Sequence, residues 1–363
     1  MSAEAELRVV AAAARAGVDA GALVRRARGA ARLLQASASR LDALGVMPGL
    51  AGELVAARRL DLAEFVAELA GRGIVCLARS DPGYPAPLRE LADPPLAVFA
   101  AGARAGPPPV VPGRALAIVG ARRAGAPALA LARRLAAFAA GSGVCVVSGL
   151  ALGVDAAGHQ GALDAGEPTL AVLGCGPDVA YPRTNAGLHR RILETGLVLS
   201  EYPPGTPPAP WRFPARNRLI AALADAVLVV EARARSGALI TADHALDLGR
   251  DVLAVPGWAG SPAAAGTNGL LKAGAGMVED EDDLAAWLGL DPPSQAPPPG
   301  EDTALVEAAA TGPAHVEELV ERLGKPADEL AAALSRLELD GWVGRDESGR
   351  YLALRKARIA DRG

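Results

Sequence analysis

Trp211-Arg-Phe-Pro-Ala-Arg-Asn-Arg-Leu-Ile220, then Ala221-Ala-Leu-Ala-Asp-Ala-Val-Leu-Val-Val-Glu231, then Ala232-Arg-Ala-Arg-Ser-Gly-Ala-Leu-Ile-Thr-Ala242 is the stretch that decides the fold. It reads as a helix, an apolar strand at Val227–Val230 and a second helix opened by Ser236-Gly237. Arg212, Arg216 and Arg218 fall within seven residues with no acid among them, beside Phe213 and Asn217, and Arg233 and Arg235 follow the strand. A cationic, aromatic-flanked segment fixed to a buried α/β scaffold fits an anion, and a nucleic-acid backbone above others. The plainer alternative is that these arginines pair with acids elsewhere or coat a surface.

The same alternation extends on both sides. Strands are expected at Leu116–Val119, Val144–Val147, Leu170–Leu173, Leu197–Leu199, Val227–Val230 and Val252–Val255. Helices are expected between them, at about 127–140, 153–165, 186–195, 216–224 and 237–248. Apolar strand runs separated by amphipathic helices imply a mostly parallel sheet covered on both faces, a doubly wound, Rossmann-like domain. Ligands of such sheets bind at the carboxyl ends of the strands. Here those ends are Gly120-Ala121-Arg122, Ser148-Gly149-Leu150, Gly174-Cys175-Gly176, Ser200-Glu201 and Glu231. Glycine and small polar residues there make a backbone-lined pocket that phosphates can approach closely.

At 363 residues the chain has room for two or three domains. Residues 1–75 read as a small helical domain, with a Gly/Pro turn at Leu44–Leu50 like a degenerate helix-hairpin-helix; such hairpins can hold DNA backbone, and plain helix packing is the commoner use. Residues 76–290 form the extended Rossmann-like domain. They include a connecting segment, 76–113, with a short strand at Ile74–Leu77 just before it and a stiff spacer at Gly106–Gly113. A linker with five prolines, Asp291–Gly300, leads into residues 301–363. There, helices at Thr303–Ala310, Val316–Arg322 and Ala327–Leu339, then a hairpin of Val343–Arg345 with Tyr351–Leu354, outline a winged helix. From Glu301 to Asp340 ten acids face three bases, a net of −7 that disfavours a phosphate backbone and suggests a protein contact or dimer support.

Net charge is −4, so any nucleic-acid site must be local. Lys272, Lys325 and Lys356 are the only lysines; arginine's planar fork suits bidentate phosphate contacts, and an Arg-rich coding bias explains the imbalance equally well. Cys76, Cys145 and Cys175 form no metal-binding pattern and read as buried thiols of a reducing cytoplasm. The N-terminus, with Glu4 and Glu6, lacks a signal-peptide layout. Leu135–Val154 is twenty uncharged residues, long enough to span a membrane, but Gly141-Ser142-Gly143 divides it into a helix end and a core strand.

Enzymatic readings fare poorly. Gly120-Ala-Arg-Arg-Ala-Gly125 has the wrong spacing for a dinucleotide fingerprint, and no acid occurs from Gly120 to Ser148 to take a ribose. No Gly-Lys-Ser/Thr exists for a P-loop. A nucleotide hydrolase would want a carboxylate beside the phosphate loop, and Glu231, Asp155 and Asp178 are the candidates. Asp155 suits a helix-region hydrogen bond as well, and Glu231 an arginine partner. His159, His189 and His244 have no nucleophile placed beside them. No catalytic set, metal site or cofactor is expected. Single-stranded nucleic acid is favoured, because strand-end pockets admit splayed bases and exclude a duplex.

The chain resembles the family of DNA-processing protein A (DprA). The motifs that carry the likeness are Ile118-Val-Gly-Ala-Arg122, Ser148-Gly-Leu-Ala-Leu-Gly-Val-Asp-Ala-Ala-Gly-His159, Gly174-Cys-Gly-Pro-Asp-Val-Ala-Tyr-Pro182 with Asn185, Ser200-Glu-Tyr-Pro-Pro-Gly205 and Phe213-Pro-Ala-Arg-Asn-Arg-Leu-Ile220. Glu231–Ala242, Gly249–Gly257 and Gly266–Leu271 continue it, and Asp81-Pro-Gly-Tyr-Pro85 matches the family's connecting segment. The resemblance implies a cytoplasmic, non-enzymatic mediator that binds single-stranded DNA and loads RecA onto incoming strands coated with single-strand-binding protein in natural transformation. It implies a homodimer and no membrane association. By the same resemblance, with Phe213 added as a base-stacking surface, the DNA-binding residues are Gly120, Arg122, Ser148, Gly149, Gly174, Gly176, Phe213, Arg216, Asn217, Arg218, Ser236 and Gly237. Ala121 departs from the small hydroxyl residue common there, which removes one possible phosphate contact. Two alternatives remain. One is a Rossmann-type nucleoside-monophosphate hydrolase, whose characteristic Pro-Gly-Gly-x-Gly-Thr-x-x-Glu loop is replaced here by Arg233–Thr241. The other is a transcription regulator acting through the winged helix, against which its acidity argues.

Overall fold

The computed structural model describes residues 2–16, 18, 21–103, 114–291, 300–339, 342–346 and 348–353. The spacer expected at Gly106–Gly113, the interior of the proline-rich linker and Leu354 lie outside them. The chain divides into two compact units, Met1–Pro293 and Ser294–Gly363.

The first unit is organised on a nine-stranded sheet: β1 (Ile74–Ala78), β2 (Ala97–Ala101), β3 (Ala115–Val119), β4 (Cys145–Ser148), β5 (Thr169–Leu173), β6 (Leu197–Ser200), β7 (Ala226–Val229), β8 (Asp251–Ala254) and β9 (Gly276–Met277). Its order is β1-β2-β6-β5-β4-β3-β7-β8-β9. From β6 to β9 all neighbours are parallel, while β1–β2 and β2–β6 are antiparallel. The six expected strands are present, shifted by about one residue at their ends. Their runs are continuous apolar sequence because helices cover both faces: Ala117, Val119, Val147, Leu170, Val227 and Val229 pack on one side, and Leu116, Ile118, Val146 and Leu228 on the other. The order of strands reverses between β3 and β7, so the connections that leave their carboxyl ends run in opposite directions along the sheet, and this is the topological switch point of the fold.

Several elements lie beyond those expected. Ala97–Ala101, expected to be connecting segment, is a fully buried strand that joins the sheet edge to β6. Beyond β8, the helices Ala265–Lys272 and Glu281–Leu288 flank the short strand β9. The Leu135–Val154 run splits as expected, into the end of helix Ala126–Gly141 and strand β4. Among the described residues no helix is long and apolar enough to cross a membrane.

The N-terminal helices run from Ser2–Ala16 to Leu62–Gly71. Their core residues Val9, Leu33, Leu54 and Phe65 pack in one cluster with Ile74, Ala97 and Phe99 of β1 and β2. The helical region therefore covers the outer part of the sheet and belongs to the same compact unit as it. Glu6, buried, reinforces the seam by accepting from the Ser80 hydroxyl at 2.6 Å and its amide at 3.0 Å. In the hairpin-like turn, Gly45 takes a left-handed φ of 73° and Pro48 starts the next helix, where its missing N–H costs nothing.

The second unit has helices Gly300–Ala310, Val316–Leu323 and Ala327–Leu339 and the antiparallel pair β10 (Val343–Arg345) and β11 (Tyr351–Ala353). Leu305, Leu319, Leu334, Trp342 and Tyr351 form its own core, a winged-helix arrangement. Of the three cysteines Cys175 is buried, whereas Cys76 and Cys145 are only half-buried, a correction to the reading that all three are interior.

Candidate nucleic-acid interface

A cavity of about 420 Å³ opens at the β3/β7 switch point. Val119 and Gly120 line it from the end of β3; Phe213, Arg216 and Asn217 from the helix Arg212–Ala222; Ser236 and Gly237 from the start of the helix Gly237–Asp247. The paired arginine-rich and Ser-Gly segments of the opening stretch therefore do meet across one space.

Gly120 is required by proximity: a Cβ there would stand 2.7 Å from Val154 Cγ2 and 3.0 Å from the Glu231 carbonyl. The loop that follows is held by Glu231, whose carbonyl accepts the Ala121 amide at 2.7 Å and whose Oε2 accepts the Gly125 amide at 3.3 Å. This leaves Arg122 and Arg123 exposed, with no ion pair among the described residues. The Arg122 guanidinium lies 5.5 Å from the Phe213 ring centroid. Phe213 in turn stacks on Tyr181, with centroids 5.2 Å apart and planes 20° apart. A cation over a partly exposed aromatic pair is the arrangement that holds phosphate and base together.

The loop after β4 forms part of the floor and is pinned by three side chains. Asp155 Oδ2 accepts the amides of Gly149 at 3.1 Å and Ala151 at 3.4 Å. Asn185 Nδ2 donates to the carbonyls of Leu150 at 3.0 Å and Ala151 at 3.2 Å. Arg216 Nη1 donates to the carbonyls of Gly149 and Val172. Between these ties Leu150 adopts φ 57°, left-handed backbone that a branched residue keeps only when its surroundings impose it. Burial pushes the Asp155 carboxyl up from its ordinary value, opposed by the positive charge of Arg216.

The twelve expected site residues thus divide by location. Gly120, Arg122, Phe213, Arg216, Asn217, Ser236 and Gly237 line the cavity. Arg216 does so as a buried floor residue, 3% exposed, instead of a rim cation. Asn217 bridges to the Gly237 carbonyl at 3.1 Å, and Ser236 caps its helix by accepting the Ala238 amide at 3.3 Å. The other five do not line the cavity. The Ser148 hydroxyl donates to the Ile118 carbonyl at 2.6 Å, tying β4 to β3. Gly149 makes room for the Arg216 guanidinium and Gly174 for the Phe213 ring. Gly176 packs against Pro203 and Gly205. Arg218 turns away to Glu201, at 2.7 Å.

Tyr181, Asp155 and Thr241 also line the cavity and were not among the expected residues. Tyr181 had a signal, an aromatic in a Gly/Pro-rich segment after a strand end. Of the two roles weighed for Asp155, hydrolase acid and helix-region hydrogen-bonding residue, its bonds to the Gly149 and Ala151 amides fit the second. Of the other acids weighed for hydrolysis, Glu231 holds the Gly120 loop, and Asp178 accepts the Gly205 amide at 2.8 Å and pairs with Arg72 at 2.5 Å. His159 and His189 are buried, and burial depresses both.

Comparison with known proteins identifies the family and agrees with the fold. A family model described as DNA recombination-mediator protein A matches residues 75–289, and a DprA winged helix domain model matches 290–349. Protein Smf of Escherichia coli is 39% identical over 229 residues, covering 59% of this chain and 61% of its own length; the chain thus spans about three-fifths of that relative. The X-ray structure of DNA processing protein A (DprA) from Streptococcus pneumoniae superposes with a TM-score of 0.63 at 30% identity, covering 77% of this chain and 95% of that one. A structure of DNA processing protein A from Helicobacter pylori, described for its single-stranded DNA binding mode, gives 0.52 at 29% identity over 60% of this chain and 94% of that one. With more than half of its length matched by the family model and both described units accounted for, the chain belongs to the DNA recombination-mediator protein A family.

Proposed function

We propose that the protein binds single-stranded DNA without sequence requirement in the switch-point cavity and acts as a recombination mediator. It would load RecA onto strands otherwise held by single-strand-binding protein, during natural transformation in the cytoplasm, as a homodimer and without chemical turnover. The Helicobacter pylori relative, described for its single-stranded DNA binding, supports the ligand class. The observation that carries the reading is the unpaired Arg122 over the Phe213–Tyr181 stack at a glycine-backed cavity. Arg183, Arg233 and Arg235, each close in sequence to a lining residue, are also exposed and without an ion pair among the described residues, so the neighbourhood is cationic although the chain is not. All twelve expected residues remain candidates: seven line the cavity, and five shape its walls or adjoin them.

The test is a titration with single-stranded and duplex oligonucleotides of mixed sequence across a range of salt. Single strands should bind more tightly, sequences should differ little, and affinity should fall steeply with salt. Equal affinity for duplex, or insensitivity to salt, would exclude the proposed site.

A further inference from the structure

Part of the N-terminal helical region carries a charge opposite to that of the whole chain. From Gly21 to Leu60 there are seven arginines against two acids, Asp42 and Glu53, a net of +5 in a protein of net −4. Among the described residues only Arg25 of these seven forms an ion pair, with Asp93. Arg26 donates to the Leu44 carbonyl at 3.3 Å, and Arg58 to the carbonyls of Leu34 at 2.7 Å and Ala36 at 2.8 Å. Those bonds tie the helices of the region together. Arg28, Arg32, Arg40 and Arg59 are exposed, and among the described residues no ion pair or hydrogen bond engages their guanidinium groups.

Between the helices Ala38–Ala43 and Pro48–Ala57 runs an open groove of about 390 Å³. Ala38 and Leu41 line one side and Gly52 and Val55 the other, so its surface is mainly apolar. Val55, a large apolar side chain, is 51% exposed there. Arg58 lies at the end beside Ala36, and Asp42 at the end next to the turn. Arg40 and Arg59 each adjoin a lining residue in sequence. Gly52 is not required by packing. It sits inside a helix, where glycine costs stability relative to alanine, yet a Cβ there would meet nothing within 4 Å. What the glycine preserves is the open space of the groove.

An apolar trough beside unpaired arginines complements a ligand that carries carboxylates and apolar side chains in one short segment. Nucleic acid is the poorer complement. The stretch Gly21–Leu60 holds no aromatic side chain on which a base could stack, and phosphates gain nothing from Leu41 and Val55. No residue that lines this groove lines the switch-point cavity.

We infer that this groove docks a short acidic peptide segment of a partner protein. Its apolar side chains rest on Leu41 and Val55, and its carboxylates meet Arg40 and Arg59. The helical region is thereby a protein-docking module, separate from the cavity at the sheet.

The experiment selects short random peptides, displayed on phage, on the full-length chain and counter-selects on Gly52→Leu, whose side chain fills the groove. Enriched sequences should combine acids with large apolar residues. A synthetic peptide of that kind should bind Gly52→Leu, and the double variant Arg40→Glu/Arg59→Glu, about tenfold more weakly than wild type. Replacing its acids by lysine should restore binding to the double variant and not to wild type. Selection of no sequence, or of sequences without acids, overturns the inference. So does equal binding of the peptide to wild type and to both variants. If the variants weaken oligo-dT or duplex DNA as strongly as Arg122→Glu does, the surface serves nucleic acid and the inference fails. If they lower the oligomeric mass in solution, the occupant is a second copy of the chain and it fails likewise. Should Gly52→Leu not fold by circular dichroism, the double variant, altered only at exposed side chains, decides alone.

Discussion

Arg216 Nη1 donates to the carbonyl of Gly149 at 2.8 Å, joining residues 67 apart in sequence. The same atom reaches the Val172 carbonyl, so one buried guanidinium holds the floor loop and the adjacent strand β5 together. Arg216→Ala should therefore cost about 2–4 kcal/mol of stability, because it leaves two buried carbonyls without their donor. Urea unfolding should show a lower midpoint with an unchanged slope. Arg216→Lys keeps a charge but not the fork and should recover only part of the loss. Wild-type stability for Arg216→Ala would mean the ties contribute nothing.

Two positions along the same helix, Arg218 pairs with Glu201 at 2.7 Å, both largely buried. Breaking the pair from either side should lower stability, with a coupling of about 1 kcal/mol in a double-mutant cycle of Arg218→Ala and Glu201→Ala. Single-stranded DNA affinity should fall less for Arg218→Ala than for a charge change at Arg122. A larger loss at Arg218 would show that the ion pair opens on binding.

His159 has no exposed surface, sits 2.8 Å from the Thr169 hydroxyl through Nδ1, and is depressed to about 3, by burial first and the charge of Arg216 second. The native state therefore takes up this proton only near pH 3, while the unfolded chain takes it up near 6.5. Between those values the unfolded state binds more protons, so stability is full above pH 6.5 and falls on acidification. The loss attributable to His159 should reach about 2 kcal/mol by pH 5. His159→Gln should flatten the dependence of unfolding free energy on pH over that range; an unchanged slope would refute the assignment.

The fold was legible because its strands are continuous apolar runs, and a sheet buried on both faces allows no other pattern. Strand Ala97–Ala101 escaped notice because Asp93-Pro-Pro read as the start of a turn-rich connection, while its pairing with β6 is set by residues a hundred positions away. In the site, sequence could show that arginines cluster but not which way each points. Arg212, Arg216 and Arg218 lie within seven residues, yet helical rotation sends them to different places. Arg212 goes over the Tyr202 and Trp211 rings, Arg216 to the floor and Arg218 to Glu201. Asp155 was visible as an acid after a Gly-rich loop, but its two amide bonds depend on Leu150 turning left-handed, which no residue type there announces.

Arg122 and Phe213 allow charge and stacking to be separated on one ligand. Arg122 is exposed, has no ion pair among the described residues and sits over the Phe213 ring, so its positive charge is available to a phosphate. Arg122→Ala should weaken single-strand binding and reduce the slope of log K against log salt by about 0.7, the value of one phosphate contact on a single strand. Phe213→Ala should weaken binding by about tenfold through lost base stacking while leaving that slope unchanged. Neither substitution should lower stability as far as Arg216→Ala, since both side chains are only partly buried or exposed. Charge reversal at Arg322 and Lys325 should change affinity little, because the winged-helix unit is acidic around them and Lys325 already pairs with Glu329 at 3.2 Å. A larger effect there than at Arg122 would place the DNA reader in the winged helix and remove the switch-point cavity from the binding path.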